Sequence, residues 1–189
     1  MAVSTSHKPK RICVDMDEVL ADALGEHLAR YNRDHGESIR KEDLHGKSLW
    51  NLVSEDRYER LESYLLAEDF FENLPVIADS QAVLAELAGH YEIFIATAAM
   101  EFPNSFAPKY RWLLRHFPFL HPRNFVFCGD KSILHADFLI DDMPRNFKNF
   151  SGEGILFTAP HNMQTTGYRR VHNWLEVAEL FLGKNAKNH

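Results

Sequence analysis

A chain of 189 residues with 45% hydrophobic content is long enough to bury one ordinary core with a modest insertion, so a globular protein is expected. The formal charge of −6 and pI near 6.0 leave no basic excess for gripping a nucleic-acid polymer, although a single phosphate could still be held locally. No run of about 18 apolar residues occurs, and the opening MAVSTSHKPKR lacks the apolar stretch of a signal peptide, so a cytoplasmic protein with no membrane partner is expected.

In chain order, the first strand is expected over 11–15, where an apolar run leads straight into Asp15, Asp17 and Glu18. Residues 22–78 then carry no convincing strand. They hold helical candidates at 22–35, 40–45 and 54–68, joined by polar turns around Gly36 and Gly46. A helix over 80–88 is followed by a strand over 91–97 that ends on Thr97, a helix over 105–116, and a strand over 124–130 that Lys131 follows. Strands over 137–142, ending on Asp141 and Asp142, and over 154–159 precede a last helix over 168–182.

This alternation predicts an α/β fold: a parallel sheet with helices on both faces and a small helical cap inserted after the first strand. The core is expected over 10–21 and 79–183, the cap over 22–78, and flexible ends over 1–9 and 184–189. Cys13 and Cys128 each sit in an apolar strand-like run and read as buried free thiols rather than as a disulfide or metal site.

The polar residues at the strand ends carry the chemistry. In an open parallel sheet the carboxyl ends of the strands converge, so Asp15, Asp17, Asp141 and Asp142 should share one region with Thr97 and Lys131. Crowded carboxylates without a Cys or His cluster suit a hard cation, and Mg2+ typically takes one or two carboxylates plus phosphate and water. Lys131 and the Thr97 hydroxyl would serve that phosphate. A phosphoryl group could then pass to an Asp, with a second carboxylate two residues on protonating the leaving oxygen and activating water.

DMDEV with Thr97, GDK and LIDD resembles the four-motif set of the haloacid dehalogenase-like phosphatases. More narrowly, DMDEVLAD, FFENLPVI, KYRWL, LIDD and LFTAPHN are similar to the 5'(3')-deoxyribonucleotidase family, in order and with comparable spacing over residues 11–163. The resemblance implies a Rossmann-like core and Mg2+-dependent hydrolysis of a phosphomonoester through an aspartyl-phosphate. It implies Asp15 as nucleophile and metal ligand, and Asp17 as general acid and base that offers its backbone carbonyl to the metal. It also implies Thr97 and Lys131 on the phosphate, Asp142 on the metal, and Asp141 in support. The partner implied is a small phosphorylated substrate, a nucleoside monophosphate.

The chain departs from the family in places. Glu18 stands where the family has Gly, Ala98 and Ala99 stand where it has Ser and Pro, and the aromatic base pocket corresponds here to Ala23, Lys47 and Leu65. Glu18, Lys47 and Trp50 are candidate substrate-pocket residues, with Lys47 expected to favour an additional anionic group. Glu18 reads equally as a side chain turned to the cap interface, and Trp50, Phe70 and Phe71 read as core between cap helices ahead of a stacking platform. His161 reads either as a group positioning backbone near the site or as a structural histidine, and Arg169–Arg170 as a solvated helix face. Two other functions fit the same residues: a phosphatase for another small metabolite, and a non-catalytic sensor of a phosphorylated ligand.

Overall fold

The computed structural model describes residues 8–183; most of the two ends expected to be flexible lies outside the described residues. Six parallel strands form one sheet: β1 (Arg11–Val14), β2 (Glu92–Thr97), β3 (Phe125–Phe127), β4 (Phe138–Asp141), β5 (Glu153–Phe157) and β6 (Arg169–Val171), in the order β3-β2-β1-β4-β5-β6. Chain direction reverses its progress across the sheet at β1, between β2 and β4. That is the switch point where an open α/β sheet leaves a crevice beyond its strand ends.

Period-2 patterning divides the core between the two faces. Ile12, Val14, Ile93, Ile95, Ile140, Ile155 and Phe157 join one large cluster with Leu84 and Leu87 of α3 (Ser80–Leu87), Trp112 and Leu113 of α4 (Phe106–His116), and Trp174 and Val177 of α5 (Trp174–Leu182). Cys13, Ala96 and Leu139 point the other way, into a smaller cluster with Leu134, Phe147 and Phe150. This second face is covered by the 3-10 turns Lys131–Ile133 and Pro144–Phe147 rather than by long helices. Gly154 makes that cover possible, because a methyl group there would overlap the Phe147 ring.

The expected helix over 168–182 resolves into two elements. Arg169–Val171 pairs with β5 as an edge strand, and Asn173 caps α5 by accepting the Glu176 N–H at 2.9 Å, while Glu176 accepts the His172 N–H at 2.8 Å. Arg170 is therefore no solvated helix residue. Its guanidinium bonds the Thr158 hydroxyl, the Asn162 side chain and the carbonyls of Asn162 and Thr165.

Between β1 and α3 lie α1 (Ala23–His35), α2 (Tyr58–Leu66) and short 3-10 turns. The chain leaves and returns through two neighbouring segments: Asp22 N–H donates to Pro75 O and Ile77 N–H to Leu20 O, both at 2.8 Å. Inside this helical segment His27 is 4% exposed, its Nε2 lies 3.0 Å from Leu61 O, and its ring meets Trp50, Tyr64 and Phe70 edge-on. Burial pulls its pKa down to about 4.

The unfolded chain therefore takes up this proton first as pH falls, so stability from a neutral His27 is present above about pH 6.5 and lost towards pH 4. In His27→Gln, which keeps a neutral donor, the stability gap to the wild type should narrow by up to about 3 kcal/mol between pH 7 and pH 4 in chemical denaturation. A gap independent of pH would mean that folding leaves the pKa of His27 unchanged.

Candidate active site

Five strand ends or their following turns meet at the carboxyl edge of the sheet. Asp15 extends β1 by one residue, its N–H still donating to Ile140 O at 2.9 Å, and this register turns its side chain towards Lys131. Lys131 is 2% exposed, and its ammonium donates to Asp15 Oδ1 at 2.5 Å and Asp141 Oδ2 at 2.6 Å. A lysine is buried to this degree only when its charge is matched, and these two carboxylates hold its pKa above the ordinary value against the opposing effect of burial.

Asp141 is fully occupied. Asn146 Nδ2 bonds both its oxygens at 3.0 Å, and the Met143 N–H donates to Oδ1 at 2.8 Å. Asp142 differs: its carboxylate meets His161 Nε2 at 3.2 Å, and its backbone carbonyl accepts Asn162 Nδ2 at 2.7 Å. Burial counters the protonation of His161, but bonding and attraction to Asp142 carry its pKa above the ordinary value.

One carboxylate oxygen from each of Asp15, Asp141 and Asp142 lies within 4.8 Å of the others, so the three could hold a metal ion. Burial, then the neighbouring Asp141, Asp142 and Asp17, push the Asp15 carboxyl well above its usual range despite Lys131. The centre is short of positive charge. Its donors are all oxygen, which fits a hard cation such as magnesium.

Asp17 faces a second lysine that sequence reasoning left without a role. Lys109 Nζ donates to Asp17 Oδ2 at 2.5 Å and to Thr97 Oγ1 at 3.1 Å, and sits 4.7 Å from the centre of the Phe71 ring. A signal for it existed: Lys109 shares the apolar face of α4 with Trp112 and Leu113, where an unmatched ammonium would not be tolerated. The other oxygen of Asp17, Oδ1, is buried with no hydrogen-bond partner among the described residues.

Asp15, Asp17, Lys109, Lys131 and Asp142 open onto one cavity of about 230 Å³. Its wall carries Ala23, Leu65, Phe71 and Phe102, the two rings lying 6.2 Å apart, and its rim carries Ala98, Glu101 and Arg145. Thr97 lies behind this lining, 1% exposed, with its hydroxyl on Lys109.

The three candidate pocket residues do not line this cavity. Glu18, at φ +58°, turns back to accept the Leu24 N–H at 2.6 Å at the start of α1, and burial lifts its pKa to about 7. Lys47 is exposed on the turn after Leu44, and Trp50 packs its ring on His27. Phe71, expected as core, is nearly buried yet contributes to the cavity wall, whereas Phe70 is core alone.

Residues 9–188 match the family model described as 5' nucleotidase, deoxy (pyrimidine), cytosolic type C protein. A Bacillus subtilis 5'(3')-deoxyribonucleotidase is 38% identical over 173 residues, covering 92% of this chain and 99% of the relative. A Staphylococcus epidermidis protein provisionally given the same name is 47% identical over 173 residues, covering 91% and 96%. Among solved structures, the haloacid dehalogenase-like hydrolase SP0104 from Streptococcus pneumoniae superposes with a TM-score of 0.58 at 14% identity, covering 92% of this chain and 98% of that one. Magnesium-bound YfnB from Bacillus subtilis, provisionally named an HAD-hydrolase, superposes at 0.59 and 12% identity, covering 93% and 100%. The fold is thus haloacid dehalogenase-like, and the chain belongs to the cytosolic type C family of 5'(3')-deoxyribonucleotidases.

Proposed function

We propose that this protein is a cytoplasmic phosphomonoester hydrolase acting on deoxyribonucleoside monophosphates, with Asp15 as nucleophile and Asp17 as general acid and base. The observation that carries the reading is the pairing of two aspartates, two residues apart, with two different buried lysines at one cavity. Lys131 orients Asp15, Lys109 orients Asp17 with the Thr97 hydroxyl behind it, and both ammonium groups draw phosphoryl charge.

An oxygen of Asp15 attacks phosphorus, forming an aspartyl-phosphate as the ester bond breaks, and protonated Asp17 gives its proton to the leaving oxygen. Asp17 Oδ1 has no other partner among the described residues, which supports assigning that proton to it. Asp17 then takes a proton from water, whose oxygen attacks phosphorus and breaks the bond to Asp15, releasing phosphate, restoring the Asp15 carboxylate and returning Asp17 to its protonated form. Asp15, Asp142 and the Asp17 backbone carbonyl would hold Mg2+, with Asp141 in support through Lys131 and Asn146. The ion, when bound, neutralises charge on the phosphoryl oxygens. Residues 22–78 would act as the cap, placing Ala23, Leu65 and Phe71 over the leaving group.

Three outcomes follow for purified protein. Hydrolysis of deoxyribonucleoside monophosphates should require Mg2+, stop with a chelator and return when the ion is restored; undiminished turnover in chelator would remove the metal from the reading. Asp17→Asn should lower kcat by about 10²–10⁴-fold, the usual worth of a general acid and base, and a loss under tenfold would count against that role. Lys131→Met strands Asp15 and Asp141 without their cation, so it should abolish turnover and cost about 3–5 kcal/mol in chemical denaturation. Stability equal to the wild type would mean that the two carboxylates are not ionised around Lys131.

A further inference from the structure

The floor and the rim of the cavity differ in a way that bears on the leaving group. At the floor Asp15 is 7% exposed and Lys131 2%. At the rim Glu101, in the turn after β2, and Arg145, in the turn after β4, pair at 3.1 Å with side chains 57% and 63% exposed. A phosphoryl group seated on Asp15 would direct the rest of its substrate outwards between this pair and the apolar wall of Ala23, Leu65 and Phe71.

An ion pair this exposed is weakly held, so both members are available to a ligand. Arg145 offers further guanidinium donors beyond the one on Glu101, and Glu101 offers a second acceptor oxygen. Their charges cancel. A leaving group that is polar and uncharged can use both, donating to one and accepting from the other, whereas a second phosphate meets the Glu101 carboxylate directly.

Resting on the hydrolase reading above, we infer that Glu101 and Arg145 are specificity-determining residues that select an uncharged polar leaving group and reject one carrying a second phosphate. Glu101 is the rejecting element. Without it the Arg145 fork is free to take a phosphate in bidentate fashion.

The test compares kcat/KM for a deoxynucleoside 5'-monophosphate and the 3',5'-bisphosphate of the same nucleoside in wild type, Glu101→Gln and Arg145→Gln. Glu101→Gln should shift the ratio towards the bisphosphate by about tenfold or more, through KM, as expected from removing a like charge at close range. Arg145→Gln should shift it the other way. Ratios unchanged in both variants, or equal losses in kcat for both compounds, would overturn the inference. Calorimetric binding of the same two compounds to Asp15→Asn, with and without Glu101→Gln, separates the two claims. A bisphosphate gain there, with neither compound hydrolysed by the wild type, would keep the selection and remove the hydrolase reading; no gain would remove the selection even if hydrolysis proceeds.

Discussion

Burying the Lys131 ammonium between Asp15 and Asp141 is the constraint on which the rest of the site depends. An ammonium 2% exposed is tolerable only with carboxylates at bonding distance, and two strands, β1 and β4, deliver them because they are neighbours in the sheet. The arrangement is held from behind: Asn146 and the Met143 N–H fix Asp141, so Lys131 has one immobile partner and one that faces the cavity. The asymmetry leaves Asp15 both anchored and exposed to a ligand. Four carboxylates, Asp15, Asp17, Asp141 and Asp142, stand here against two lysines and His161, and the surplus negative charge is the physical case for a cation at this edge.

The segment between β1 and α3 is tied to the site through the turn that follows Asp15. Val19 O accepts the Trp174 indole N–H at 2.8 Å, Leu74 O accepts that of Trp112 at 2.8 Å, and Glu18 caps the first turn of α1. Glu18 holds a left-handed backbone that glycine adopts more readily, so its carboxylate contact with Leu24 offsets part of a conformational cost. The departure from glycine therefore serves the joint between the helical segment and the sheet. It adds no charge to the cavity lining.

Much of this was legible in the sequence because strand ends are marked by abrupt changes from apolar to acidic residues. The five strands with apolar runs were readable, and so were Asp15, Asp17, Asp141, Asp142 and Lys131 at their ends. β6 was not, since Arg169-Arg170-Val171 has a single apolar residue and lies at the sheet edge, where pairing rather than burial decides the conformation. Lys109 was obscured because one lysine within an amphipathic helix reads as a surface charge until its face is known. That Lys47 and Trp50 do not line this cavity was not legible for a related reason: short 3-10 turns carry no periodicity from which to infer which side chains face the sheet. Glu101 and Arg145 meet only because β2 and β4 flank β1, a fact of topology that neither local segment encodes.

The central claim is that the carboxylate held by Lys131 is the group that receives the phosphoryl moiety. Quenching the enzyme during turnover with borohydride, which reduces an acyl phosphate to an alcohol, and mapping the product by peptide mass spectrometry tests it directly. The account predicts homoserine at position 15 in the substrate-treated protein and unmodified Asp17, Asp141 and Asp142. Reduction at one of those other aspartates instead, or an unmodified Asp15 in protein quenched at full steady-state turnover, would contradict it.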